Sequence, residues 1–218
     1  MARPIRAVFF DLDGTLVRYR GVDFESSWGA LGVAAGLKEQ WDALLAKYLD
    51  RPDSYQDWVR ENAALLKGIP LGRVLPHLFP PPYAPGVREA LAELKRRGLV
   101  LGIVSSGVAL VADRVKEELG LDFAVANELE VRAGRFTGEA MLRVGLWDKL
   151  AVVEAEAARQ GLSLPELAFV GDHLNDVPVL EAVGCGIAYA PKDPGVAAAA
   201  RYVIKDFREL PRLIPLRS

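Results

Sequence analysis

Three short apolar runs, each stopping at small or acidic residues, set the strongest limit on how this chain can fold. They are IRAVFF before Asp11, LVLGIVS through Ser105, and ELAFVG before Asp172. Runs this short and this apolar are what strands covered on both faces of a parallel sheet require. Helix-spaced segments follow, GVALVADRVKEELG after the second run and NDVPVLEAVG after the third. Such alternation predicts an α/β fold with a mostly parallel sheet. GCGIAYA and ARYVI supply further strands, and NELEVRAGRFTG reads as a β-hairpin turning at Ala133-Gly134.

Residues 18–83 have a different pattern. FESSWGALGVAAG, KEQWDALLAKYLD and SYQDWVRENAALLKG all carry apolar residues at helical spacing, and no strand-like run interrupts them. FPPPYAPG then ends the segment, since proline cannot continue a helix. A helical insertion therefore follows the first strand, with Trp28, Trp41 and Trp58 expected in its helix–helix core. The chain of 218 residues can bury a core without a disulfide or metal staple. Its one cysteine, Cys185, lies in an apolar run and reads as a buried free thiol, in keeping with a reducing cytoplasm. A net charge of −2 with no basic block argues against nucleic acid as a partner. No segment has the apolar length of a membrane span; LVLGIVSSGVALVADR is broken at Ser105, Ser106 and Gly107. A cytoplasmic protein is expected.

The strand ends carry the chemistry. In extended backbone, residues i and i+2 project to one side, so Asp11 and Asp13 of VFFDLDGTLV face one place and Leu12 faces away. In open parallel sheets, ligands bind beyond the carboxyl ends of the strands. Two carboxylates roughly 4 Å apart at an effective dielectric of about 20 repel by about 4 kcal/mol, so the pair calls for a shared proton or a cation. The plain alternative is a tight Asp-Gly turn. FVGDHLND ends another strand in Asp172 and Asp176, with Asn175 between; here the plain reading is Asp172 or Asn175 as a helix N-cap. A parallel sheet brings both strand ends to one edge, and four converging carboxylates demand a hard cation. Oxygen-only donors suit Mg²⁺. His77 in the insertion and His173 inside the motif do not make a zinc site. In IVSSGV, Ser105 ends the strand and Ser106-Gly107 opens the next helix, where a hydroxyl and free amides can hold an anion. Lys149 of GLWDKL is either a solvated helix lysine or the positive charge that phosphate recognition needs.

Together these residues resemble the haloacid dehalogenase superfamily of phosphohydrolases, and within it the phosphoserine phosphatase group. Asp11 and Asp13 match the superfamily's DxDGT motif, Ser105 its second-motif serine or threonine, Lys149 its third-motif lysine, and GDHLND its GDxxxD motif. The resemblance implies a Rossmann-like parallel sheet with helices on both faces over residues 1–17 and 84–218, with 18–83 as a small α-helical cap domain. It implies that Asp11 attacks phosphorus to form an aspartyl-phosphate, while Asp13 protonates the leaving oxygen and then activates water. Mg²⁺ would be held by the Asp11 carboxylate, the Asp13 backbone carbonyl and Asp172, with Asp176 supporting them. Ser105, Ser106, Lys149 and Asn175 would bind the phosphoryl oxygens.

The expected protein is a Mg²⁺-dependent phosphomonoester hydrolase acting on a small phosphorylated metabolite, and phosphoserine is one candidate. Asp13 favours a phosphatase over a dehalogenase, which needs no acid for an alkoxide. The phosphoserine group holds its substrate's ammonium and carboxylate with a glutamate after the first motif and a cap arginine. Here Arg20 falls near the first position and Asn62 near the second, with Arg18, Glu25 and Arg60 close by. A phosphotransferase, a phosphatase of a sugar-like phosphate in sulfur salvage, and a catalytically silent phospho-ligand-binding protein stand as alternatives.

Overall fold

β1 (Ala7–Phe10) lies in the middle of the sheet, and all of its residues are buried. The structure is a computed structural model and describes residues 4–214. After β1 the chain leaves the sheet for four helices, α1 (Ser27–Ala35), α2 (Lys38–Tyr48), α3 (Tyr55–Leu65) and α4 (Leu71–Leu78). It returns through α5 (Val87–Arg96), β2 (Val100–Val108) and α6 (Ala109–Leu119) to β3 (Phe123–Arg132) and β4 (Arg135–Met141). Then follow α7 (Lys149–Arg159), β5 (Leu167–Gly171), α8 (Val177–Ala182) and β6 (Cys185–Tyr189). α9 (Pro194–Ala199), β7 (Tyr202–Ile204) and α10 (Leu210–Leu213) complete the described chain.

The sheet order is β4-β3-β2-β1-β5-β6-β7, parallel except for the β3–β4 hairpin. β1 has β2 on one side and β5 on the other, so the strand order reverses beside it. The crevice beyond the carboxyl ends of these strands is the switch point at which such sheets bind ligands. Alternate side chains cover opposite faces. Val8, Phe10, Ile103 and Val170 pack with Leu91 of α5 and Val111 of α6. Phe9, Val104 and Phe169 pack with Val153 of α7 and Val179 of α8. Cys185 is buried in β6 as expected, and burial pushes its thiol up. Among the described residues, no helix is long and apolar enough to cross a membrane.

Two boundaries differ from the sequence expectation. β2 continues through a register shift after Val104, so Ser106 and Gly107 belong to the strand and α6 begins at Ala109. Ser-Ser-Gly has turn composition, yet here long-range hydrogen bonds to the Ser106 carbonyl hold it extended. β3 begins earlier than the hairpin pattern, pairing parallel with β2 before it turns into β4. The far end of that hairpin meets the helical insertion. Gly68 N–H donates to Phe136 O at 2.8 Å, and Phe136 N–H to Ile69 O at 3.0 Å. The insertion's two connections run side by side, with Val17 bridged to Tyr83 and Arg18 N–H donating to Pro82 O at 2.9 Å.

Candidate active site

The carboxylates are fixed one strand end at a time. Asp11 follows β1; its N–H donates to Val170 O of β5 at 2.9 Å, and its Oδ1 accepts from Leu12 N–H at 2.8 Å. Asp172 follows β5, and its Oδ1 accepts from Thr15 Oγ1 at 2.9 Å. Its carboxylate lies over Gly14, where a Cβ would stand 2.2 Å from Oδ2 and where φ is +76°. Only glycine meets both demands. Asp176 Oδ2 accepts from the backbone N–H groups of Asp172 and His173 at 3.0 and 3.1 Å. The turn before α8 is thus capped by Asp176, not by Asp172 or Asn175. Oxygens of Asp11, Asp172 and Asp176 lie within 4.8 Å of one another. Lys149, the first residue of α7, is fully buried and bridges Asp11 Oδ2 at 3.1 Å and Asp176 Oδ1. The solvated reading of Lys149 falls.

One ammonium does not balance this cluster. Burial, aided by the charges of Asp11 and Asp176, pushes Asp172 well above the usual carboxylate range. Burial raises Asp176 as well, against the pull of Lys149. For Lys149 burial alone would loosen the proton, but Asp11 and Asp176 hold it more tightly than usual. A hard divalent cation would relieve this imbalance, and an all-oxygen donor set fits one.

Asp13 turns out of the cluster toward the insertion. Ser27 N–H donates to its Oδ1 at 2.8 Å, and Ser27 Oγ donates to its Oδ2 at 2.7 Å. Ser27 opens α1, is fully buried, and its Oγ accepts from Val108 N–H at 3.0 Å. A Cβ on Gly107 would come 2.5 Å from Asp13 Oδ2, so glycine leaves the space the carboxylate fills. Burial raises Asp13 to about 7, with the Ser27 hydrogen bonds opposing and the Asp11 charge adding. The four expected carboxylates therefore divide into a cluster of three and a separate acid.

Asp11, Asp13, Asp172, Ser106 and Asn175 border one cavity of about 620 Å³. Asn175 Nδ2 lies 3.5 Å from Ser106 Oγ. Ser105 is buried, with its Oγ accepting from Gly107 N–H at 3.1 Å. The Ser106 carbonyl accepts from Trp28 Nε1, Tyr55 Oη and Asn127 Nδ2 at 3.1, 2.6 and 2.8 Å, which ties α1 and α3 to β2 and β3. Sequence reading gave no part to Thr15, Ser27, Tyr55 or Asn127. Thr15 stood inside the DGT motif; the other three gain their parts only through contacts distant in sequence. The expected substrate-holding residues do not border the cavity. Arg18 pairs with Glu25 at 2.8 Å, Arg60 pairs with Asp57 at 3.1 Å on the surface, and Arg20 is exposed. Asn62 is buried in α3 with no hydrogen-bond partner. His173 does border the cavity, edge-on to Phe24 with ring centroids 5.6 Å apart, whereas His77 is exposed on α4.

A parallel sheet with an acidic triad, a buried lysine and a separate acid at its switch point defines a class, and comparison identifies it. A family model for haloacid dehalogenase-like hydrolases matches residues 8–181. The chain belongs to that family. Among curated proteins, the phosphoserine phosphatase of Methanocaldococcus jannaschii is 30% identical over 217 residues, covering 98% of this chain and 100% of the relative. That of Archaeoglobus fulgidus is 34% identical over 193 residues, 88% of this chain but 54% of its own length, so this chain spans about half of that relative. Among solved structures, a phospho-aspartyl intermediate analogue of phosphoserine phosphatase superposes with a TM-score of 0.80 at 28% identity, covering 98% of this chain and 100% of the other. A hydrolase of the same family from Salmonella enterica gives 0.84 at 25% identity, over 97% of this chain and 72% of the other.

Proposed function

We propose that the protein is a Mg²⁺-dependent phosphomonoesterase working through an aspartyl-phosphate on Asp11. The observation that carries this is the split of the carboxylates, with Asp11 in the charged triad and Asp13 held apart beside the same cavity. Asp11 attacks phosphorus while Asp13 gives its proton to the departing alkoxide; the P–O bond to the alcohol breaks as the Asp11–phosphorus bond forms. Asp13, now a base, takes a proton from water, and the resulting attack frees phosphate and restores Asp11. Lys149 holds Asp11 in place, and with Ser105, Ser106 and Asn175 offers positive charge and donors to phosphoryl oxygens. Asp11 and Asp172 would hold Mg²⁺, with Asp176 supporting them, and the ion would neutralise phosphate charge. Residues 18–83 act as the cap domain that closes on the core through Ser27, excluding water. The relatives' phosphoserine specificity makes a small phosphorylated metabolite the coarse substrate class.

The test is phosphate release from a panel of phosphomonoesters with and without Mg²⁺. Turnover should require the metal and fall about a thousandfold or more in Asp11→Asn. Turnover indifferent to both chelation and that substitution would remove the proposal.

A further inference from the structure

We infer that the alcohol half of the substrate is a large, uncharged aromatic body, selected by the aromatic wall that the insertion lays over the phosphate site. This rests on the phosphomonoesterase reading and adds the substrate class. The cavity bordered by Asp11, Asp13 and Asp172 is walled on the insertion's side by Trp28, Trp41, Tyr55 and Trp58. Tyr55 stacks on Trp58 at a centroid distance of 5.4 Å and 29°, and Trp28 meets Trp58 edge-on at 5.6 Å. The three tryptophans were expected as helix–helix core; they pack together as such, and with Tyr55 they also present a wall to the cavity. Locked rings of this kind bind flat apolar surface at little entropic cost.

The rim points the same way. Phe24, Val33, Leu49, Trp147 and Leu174 are 40–58% exposed, and all border this cavity. The remaining exposed large hydrophobics among the described residues are Val131, Met141 and Val203. Clustering of this kind marks a binding surface, whereas scattered single residues do not. A cavity of about 620 Å³ is the size that encloses most of a multi-ring ligand.

A small zwitterion needs the opposite equipment, a free cation and a free anion facing inward. Arg18 and Glu25 neutralise each other and do not line the cavity, and Arg60 pairs with Asp57 on the surface. Beyond the carboxylates of the phosphate site, the charges that border the cavity lie at its outside: Asp23, Arg51 and Asp193 are exposed, Lys38 and Asp42 are half-exposed or more and pair with each other at 2.5 Å, and Lys192, its side chain 70% exposed, lies 3.7 Å from Glu25. These groups stand in solvent, where they lend little to recognition.

The experiment compares kcat/KM of the Mg²⁺-loaded enzyme for naphthylmethyl phosphate, n-octyl phosphate and phosphoserine. Naphthylmethyl phosphate should exceed phosphoserine by about 10–100-fold, the scale on which an apolar pocket discriminates. Leu49→Lys and Trp147→Ser, both at exposed positions, should lower that ratio severalfold. Phosphoserine equal to or ahead of the aromatic ester, or n-octyl phosphate ahead of both, overturns the inference. Should no ester be turned over, the hydrolase reading falls, and binding of naphthylmethanol decides this one separately. Saturable quenching of tryptophan emission that weakens in Leu49→Lys supports it; absence of quenching overturns it.

Discussion

The two walls of the cavity are built on opposite plans. At the sheet end, Asp11 and Asp172, backed by buried Asp176, are held by hydrogen bonds or by buried Lys149, and Gly14 gives up its side chain to let a carboxylate fit. On the insertion's side the wall is aromatic, and its rim leaves Phe24 and Leu49 more than half exposed. The first plan suits chemistry, which fails when a reacting group moves by about 1 Å. The second suits selection, which needs matching surface more than exact angles. Polar links cross between them: Ser27 of the insertion holds Asp13 of the core, and Trp28 and Tyr55 donate to the Ser106 carbonyl of β2.

This contrast can be broken by substitution on either side. The largest expected effect is at Lys149. Lys149→Met leaves Asp11 and Asp176 without their buried counter-charge, and chemical denaturation should show a loss of about 3–5 kcal/mol in the metal-free protein. A loss below about 1 kcal/mol would mean that the triad does not depend on the lysine.

Gly107→Ala comes next. Its Cβ would come 2.5 Å from Asp13 Oδ2 and 2.9 Å from Ser27 Oγ, so kcat should fall by about 100-fold, with a stability cost of about 1–3 kcal/mol for the crowding. An unchanged kcat would sever Asp13 from the reaction.

Asp13 also carries a pH signature. Its folded-state pKa of about 7 lies above the ordinary 3.8, so the protonated form favours folding. That contribution is complete below 3.8 and is lost as the pH rises through about 7. Asp13→Asn should therefore gain melting temperature relative to wild type between about pH 5 and about pH 8, while losing turnover at both. A constant difference across that range would contradict the burial of an acidic proton. The smallest effect is expected at the rim: Phe24→Ser, at 51% exposure, should alter stability by no more than about 0.5 kcal/mol and raise KM only for large apolar esters.

The same contrast explains what could be read from the sequence. Asp11 and Asp13 lie two residues apart, and Asp172 and Asp176 four apart, so local spacing announced them and the strands they terminate. The parallel sheet followed from three apolar runs, because a strand buried on both faces has little freedom in composition. Ser27 was illegible: it touches Asp13 across 14 positions, and nothing about a serine at the start of a helix marks it as more than a helix residue. The Ser106 carbonyl gathers donors from Trp28 and Tyr55, 78 and 51 positions away, and no local pattern foretells that. Of the residues expected near the substrate, Arg18 and Glu25 satisfy each other instead. Ion pairs are settled by whichever partner is nearest in the fold.

The most direct test of the account is to quench the enzyme during turnover of a phosphorus-labelled ester with Mg²⁺ and map the label. The account predicts acid-stable, base-labile phosphate on the peptide carrying Asp11, absent in Asp11→Asn. Phosphate released with no labelled peptide, or with the label on another residue, would contradict it.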